Sequence, residues 1–207
     1  EFFGLYELAI LRFAHILAMV YWLGGEWAVF QTSYKVVDPA LSVAERVRHL
    51  DTVFRIDVVS RIGIVSLLPL GLHMGHLWGV QPYGGSFLVA VWLGWAAWVV
   101  VTLLAFRDKM QRKHTLFGTL EDWSRYLAIP AVIGAGATSL LGMGPFEAGD
   151  GQQWYAAKLI VFGLSASALY AIPFTLTAAA SSAVLRLQFA VDDFLGEPGI
   201  EGAYLNE

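Results

Sequence analysis

Hydrophobic positions along this chain fall in long unbroken runs, not in the one-faced or alternating patterns of a soluble fold. Five runs, near Leu5–Phe30, Val59–Val80, Phe87–Phe106, Tyr126–Met143 and Trp154–Ala179, are long enough to cross a bilayer core, which takes about 20 apolar residues. The first run is longer than the core of a signal peptide and carries no cleavage pattern, so it reads as a span. The predicted fold is all-α: a polytopic membrane bundle of five transmembrane helices over residues 1–186. An acidic, turn-rich cytoplasmic tail over 187–207 (Asp192, Asp193, Glu197, Glu201) follows it.

Polar positions give the bundle a direction. Lys35, Arg46, Arg48 and Arg55 lie between runs one and two, and Arg107, Lys109, Arg112 and Lys113 between runs three and four. The other two connections, Gln81–Ser86 and Gly144–Gln153, contain no Lys or Arg. The positive-inside rule then puts the N-terminus outside and the C-terminus on the cytoplasmic side of an inner membrane. Trp78, Tyr83, Trp154 and Tyr155 fall at the expected outer boundary, where amphipathic rings settle. Within the first basic loop, Ser42 and Glu45 after Asp38-Pro39 spell a capping box, predicting a short surface helix near Val43–Phe54.

Composition narrows the function classes. Hydrophobic residues make up 57% of the 207, charged residues only 14%, and the mean hydropathy is +0.59, whereas soluble domains carry about a quarter charged residues. A net charge of -4 gives no footprint for nucleic acid. The absence of cysteine excludes disulfides, thiolate metal sites, iron–sulfur clusters and covalently attached c-type haem. A faint repeat links Asp57, Ser60 and Arg61 at the start of run two with Glu121, Ser124 and Arg125 at the start of run four. Duplication of a helical hairpin would explain it, as would the general enrichment of Arg at cytoplasmic helix starts.

Ionisable residues inside a span are costly and mark candidate functional positions. Four belong to the outer half: His15 in run one, His73 and His76 in run two, and Lys158 in run five. Measured from the run ends at 1.5 Å per residue, His15 lies roughly 15 Å, His73 roughly 10 Å, and His76 and Lys158 roughly 6 Å below the outer boundary. Imidazoles on different helices at similar depth can hold haem b, which needs no cysteine. The expected metal ligands are His15 and His73, with His76 and Lys158 completing the cofactor-binding set and Lys158 acting as counter-charge to a propionate. The competing reading is that each His bonds a neighbouring helix and Lys158 snorkels to the surface. His49 and His114 lie in the basic loops, where solvation accounts for them.

At the inner ends, Glu26, Asp57, Arg61 and Arg125 are expected to form an ion-paired structural cluster, since an unpaired Glu26 would be penalised. Gly24-Gly25 and Gly134-x-Gly136 allow close helix approach. Trp92, Trp95 and Trp98 form an i, i+3, i+6 stripe expected to face lipid or a partner subunit.

The stretch from Leu11-Arg12 through His15 to Trp22-x-Gly24-Gly25, with Trp154 and Lys158-Leu159 later, resembles a bacterial superfamily. It includes the CopD-type copper-resistance membrane domains and the HemJ-type protoporphyrinogen oxidases. The HemJ-type resemblance implies haem b, with His15 and Lys158 as the positions that matter. The CopD-type resemblance implies copper handling. The chain differs from the HemJ type in having five expected spans, not four, and in lacking an Asn-Glu-x-Pro ending. It has only four Met where a copper path would use more. Three functions follow as expectations: a haem b-binding electron-transfer subunit working with other membrane redox subunits, a porphyrin-oxidising enzyme, or a cofactor-free structural or assembly subunit.

Overall fold

The computed structural model describes residues 2–111, 113, 115–146 and 153–167. Among these the protein is entirely helical: α1 (Phe2–Val36), α2 (Val43–Leu77), α3 (Ser86–Met110), α4 (Leu116–Leu140) and a fifth helix, α5, described from 153 to 167. The acidic tail expected over 187–207, and the end of the fifth run, lie outside the described residues.

The capping box forms as its spelling predicts. Ser42 has an extended backbone, the Glu45 amide donates to its hydroxyl, and the Glu45 carboxylate accepts from the Ser42 amide at 3.0 Å. The helix it starts does not stop at Phe54, however. No Gly or Pro occurs between Val43 and Ile62, so the expected surface helix and the second run form one 35-residue helix. At 1.5 Å per residue α2 is roughly 52 Å long, as is α1, and both exceed a bilayer core of about 30 Å.

Antiparallel neighbours follow from the short turns. Ser60 on α2 is fully buried against α1, its hydroxyl 3.0 Å from the Trp22 carbonyl and 2.8 Å from Glu26 Oε1. Gly63 meets α1 so closely that a Cβ there would stand 2.8 Å from the Ala18 carbonyl and 2.9 Å from the Trp22 amide. Helix α5 runs beside α1 and against α2 and α4. Trp22 meets Phe162 edge-on at 6.0 Å, and Trp22, Ile64, Leu67 and Ala166 share one apolar cluster. Gly136 leaves α4 room for Ala156 and Ile160 of α5. Of the two small-residue patches, Gly25 and Gly136 face neighbours, while Gly24 and Gly134 have open space.

The α2–α3 turn is closed from within. Gln81 is buried, its amide donating to the carbonyls of Leu72 (3.0 Å) and Tyr83 (2.7 Å) and its Oε1 accepting from the Tyr83 amide at 2.7 Å. The tryptophan stripe on α3 faces inward, contrary to its expected direction. Trp92 donates to His73 Nδ1 at 3.3 Å and Trp95 to Ser66 Oγ at 2.9 Å, because an indole N–H on an apolar helix needs an acceptor and α2 offers two.

Among the described residues two helices, Tyr6–Val36 and Ser86–Met110, are long and apolar enough to cross a membrane, with mean hydropathies of 1.5 and 2.3. Only 17% and 11% of those stretches are buried within the chain, so their apolar surface points away from the protein core. A core helix of a soluble protein would show the opposite balance.

Candidate functional site

Three helices bring chemistry together where α1 begins, α2 ends and α5 begins. Gly71 on α2 is the meeting point. The His15 ring lies across from it, with Cε1 3.7 Å from where a Gly71 Cβ would be. The Tyr155 hydroxyl of α5 donates to the Gly71 carbonyl at 3.4 Å. Tyr155 also fills the space above Gly75, where any side chain would collide with the phenol ring. Lys158, one turn further along α5, is near enough for its charge to act on the His15 ring. His15 Nδ1 is buried and has no hydrogen-bond partner.

The four expected site residues make different contacts. His73 is engaged on both nitrogens: Nδ1 accepts from Trp92, and Nε2 lies 3.2 Å from Glu7 Oε1 of α1. An Nδ1 that accepts fixes the ring proton on Nε2, which then donates to Glu7. His76 packs against Gly84 of the α2–α3 turn, and its Nδ1, like that of His15, is buried without a partner. Gly71, which faces the His15 ring, is only two residues before His73 on α2, so the two histidines differ in their partners and not in a large offset of height. The structure therefore joins His15 to Gly71 and Lys158, and His73 to Glu7 and Trp92. No cluster of three or more His, Asp or Glu able to hold a metal ion occurs among the described residues.

As a haem site, the His15 position meets the chemical requirement that can be read from it. It offers an imidazole with an uncommitted nitrogen, a glycine opposite and a cation close by. His73 meets it only by giving up the Trp92 bond. A pocket of about 50 Å³ lies elsewhere, between α2, α3, α4 and α5, lined by Ile64, Leu68, Trp98, Ile129 and Phe162, with Arg125 at its edge. It is apolar and holds none of the four residues.

The ion-paired cluster anticipated for Asp57, Arg61 and Arg125 forms. Arg61 binds Asp57 at 2.6 Å and both oxygens of Glu121 at 2.7 and 2.9 Å. Arg125 binds Glu121 at 2.8 Å and Asp122 at 2.7 Å. Glu26 joins through Ser60 and not through an arginine. Glu121 is the hub, and sequence reasoning noted it only as part of the repeat. The usable signal was that repeat: an acid four residues before an Arg makes an i, i+4 pair in both copies.

Comparison with protein-family models, with curated proteins and with solved structures gives no match.

Proposed function

We propose that this chain is a multi-pass protein of the bacterial inner membrane, N-terminus outside and C-terminus inside, that binds haem b at His15 and serves as an electron-transfer subunit of a membrane redox complex. The observation that carries the reading is the buried, unpartnered His15 Nδ1 facing Gly71 beside Lys158. An imidazole at that depth without a partner is penalised, and a ligand removes the penalty. The apolar, outward-facing surfaces of α1 and α3 support lipid as the surrounding solvent. The likeness of the His15 and Lys158 segments to the CopD-type and HemJ-type superfamily points the same way.

In this reading His15 would hold the haem iron and Lys158 would supply the counter-charge, and His73 could contribute only if it gave up its bond from Trp92. Bound haem would supply reversible one-electron chemistry. The chain's own contribution is to orient the imidazole against Gly71, hold a positive charge beside it and keep water out with Tyr155. The test is an absorption spectrum of purified protein, oxidised and then dithionite-reduced, with haem content measured per chain. Stoichiometric Soret and α bands are expected in the wild type, and their loss in His15→Ala. Full haem retention in His15→Ala would refute the assignment. A cofactor-free subunit is the second reading, favoured by the two satisfied nitrogens of His73; absence of any Soret band would establish it.

A further inference from the structure

Arg12 lies one turn outward of His15 on α1, a cation within an apolar stretch. Its guanidinium carbon sits 5.8 Å from the centre of the Trp78 ring at the end of α2. Trp78 in turn meets Trp154 of α5 edge-on at 6.4 Å. Trp154 is one helical turn outward of Lys158. Arg12, His15 and Lys158 thus border one seam between α1 and α5, with Trp78 and Trp154 closing its outer end.

Arg12 and Lys158 are both exposed at the bundle surface, and neither has an acidic partner among the described residues. Glu7, the acid nearest to Arg12 along α1, is turned to His73. The inner arginines make the contrast, since Arg61 and Arg125 are each held by two carboxylates. An aromatic face weakly compensates one guanidinium, but two unpaired cations beside a seam in lipid call for anions.

We propose that Arg12 and Lys158 form a two-cation cradle for a ligand with an apolar body and two carboxylates on one edge. Resting on the haem reading above, this ligand edge is the propionate pair, held toward the outer surface while the ring lies along the seam at His15. The spacing suits it. With Trp22 level with Phe162, Lys158 is level with about residue 18 of α1, so the two cations differ in height by about six residues, or roughly 9 Å. Helical side chains lean toward the helix N-terminus, which for α1 and α5 is the outer side, so both charged heads reach outward. Arg12 supplies a planar fork and Lys158 a mobile point charge.

The full chain in phosphatidylcholine nanodiscs is titrated with haem b and with its dimethyl ester, which lacks the two negative charges, by following the Soret band. The wild type should bind the free acid at least tenfold more tightly than the ester. Arg12→Gln and Lys158→Gln should each weaken free-acid binding about tenfold, the size of one charge-assisted contact, while weakening ester binding far less. Equal wild-type affinity for acid and ester overturns the cradle and leaves the haem reading standing. Binding of neither overturns both. Retained acid preference in the double variant overturns the cradle, with ester binding reporting that the variant is folded. Anionic headgroups share the ligand's charge, so the titration is repeated with phosphatidylglycerol in the disc. A preference that survives supports the propionate assignment. One that vanishes assigns the cations to headgroups and overturns it.

Discussion

Removing Arg61 should loosen α4 from α2 where the two repeat motifs meet. Its guanidinium joins the two copies of the acid-x-x-Ser-Arg repeat, binding Asp57 on its own helix at 2.6 Å and Glu121 across the bundle at 2.7 Å. The side chains of Arg61, Asp57 and Glu121 are only 17%, 21% and 9% exposed, so the network lies nearer the buried limit than the surface one. Surface pairs contribute about 0–1 kcal/mol, whereas breaking a buried pair costs about 3–5 kcal/mol through the charge left behind. Glu121 keeps Arg125 in an Arg61→Ala variant, so Asp57 is the stranded charge and the lower figure applies. The expected loss of about 3 kcal/mol is more than a hundredfold in the unfolding constant. Arg61→Lys should recover only part of it, because an ammonium lacks the fork that serves both carboxylates. Denaturation by SDS in mixed micelles, followed by tryptophan fluorescence, reads the change. Crossing Arg61→Ala with Glu121→Ala isolates the coupling, expected above about 1 kcal/mol. A coupling below about 0.3 kcal/mol would refute the claim that this pair fastens α2 to α4.

Gly63→Ala should destabilise by about 1–2 kcal/mol in the same assay. Its Cβ would press on two backbone atoms of α1 that cannot rotate away, and this outweighs the helix propensity gained. The Ser42 hydroxyl, first, and its backbone amide, second, hold the Glu45 carboxyl below its ordinary range. A depressed carboxyl stabilises the helix start above the usual value of 4.5 and loses that contribution as pH falls through its lowered one. Amide-exchange protection over 43–47 should therefore differ between wild type and Ser42→Ala at neutral pH and converge in acid. Single cysteines at Ser86 and Gly149 should react with an impermeant maleimide in intact cells; reaction only after permeabilisation would invert the proposed orientation.

What could be read from the residues was whatever depended on near neighbours. The capping box is a three-residue relation, and it formed. The acid–Arg pairs at i, i+4 are likewise local, and both formed. Helix length was misjudged where polarity and helix-breaking were treated as one signal. Arg46, Arg48 and Arg55 end an apolar run, but they are sound helix formers, so α2 continues through them. Facing was misjudged for Trp92 and Trp95 because their acceptors, His73 and Ser66, sit 19 and 29 residues away. Gln81 carried no pattern at all, since its three bonds depend on how the turn folds over it.

His15 and His73 show the same division more sharply. Depth estimated from run ends put His15 and His73 roughly 5 Å apart, a value that assumed each helix meets the membrane where its apolar run begins. Helix α1 starts earlier and pairs with α2 at a register set by Ser60 and Gly63, residues chosen by contact and not by hydropathy. Further along the α1–α2 contact, the His15 ring meets Gly71 and His73 meets Glu7 in the first turns of α1. Which imidazole makes two bonds and which keeps an uncommitted nitrogen follows from what each ring meets, Glu7 and Trp92 for His73 and Gly71 for His15. A site whose chemistry depends on which nitrogen is uncommitted becomes legible only once that close approach is known. For the same reason His15, and not His73, is the residue on which the haem assignment stands.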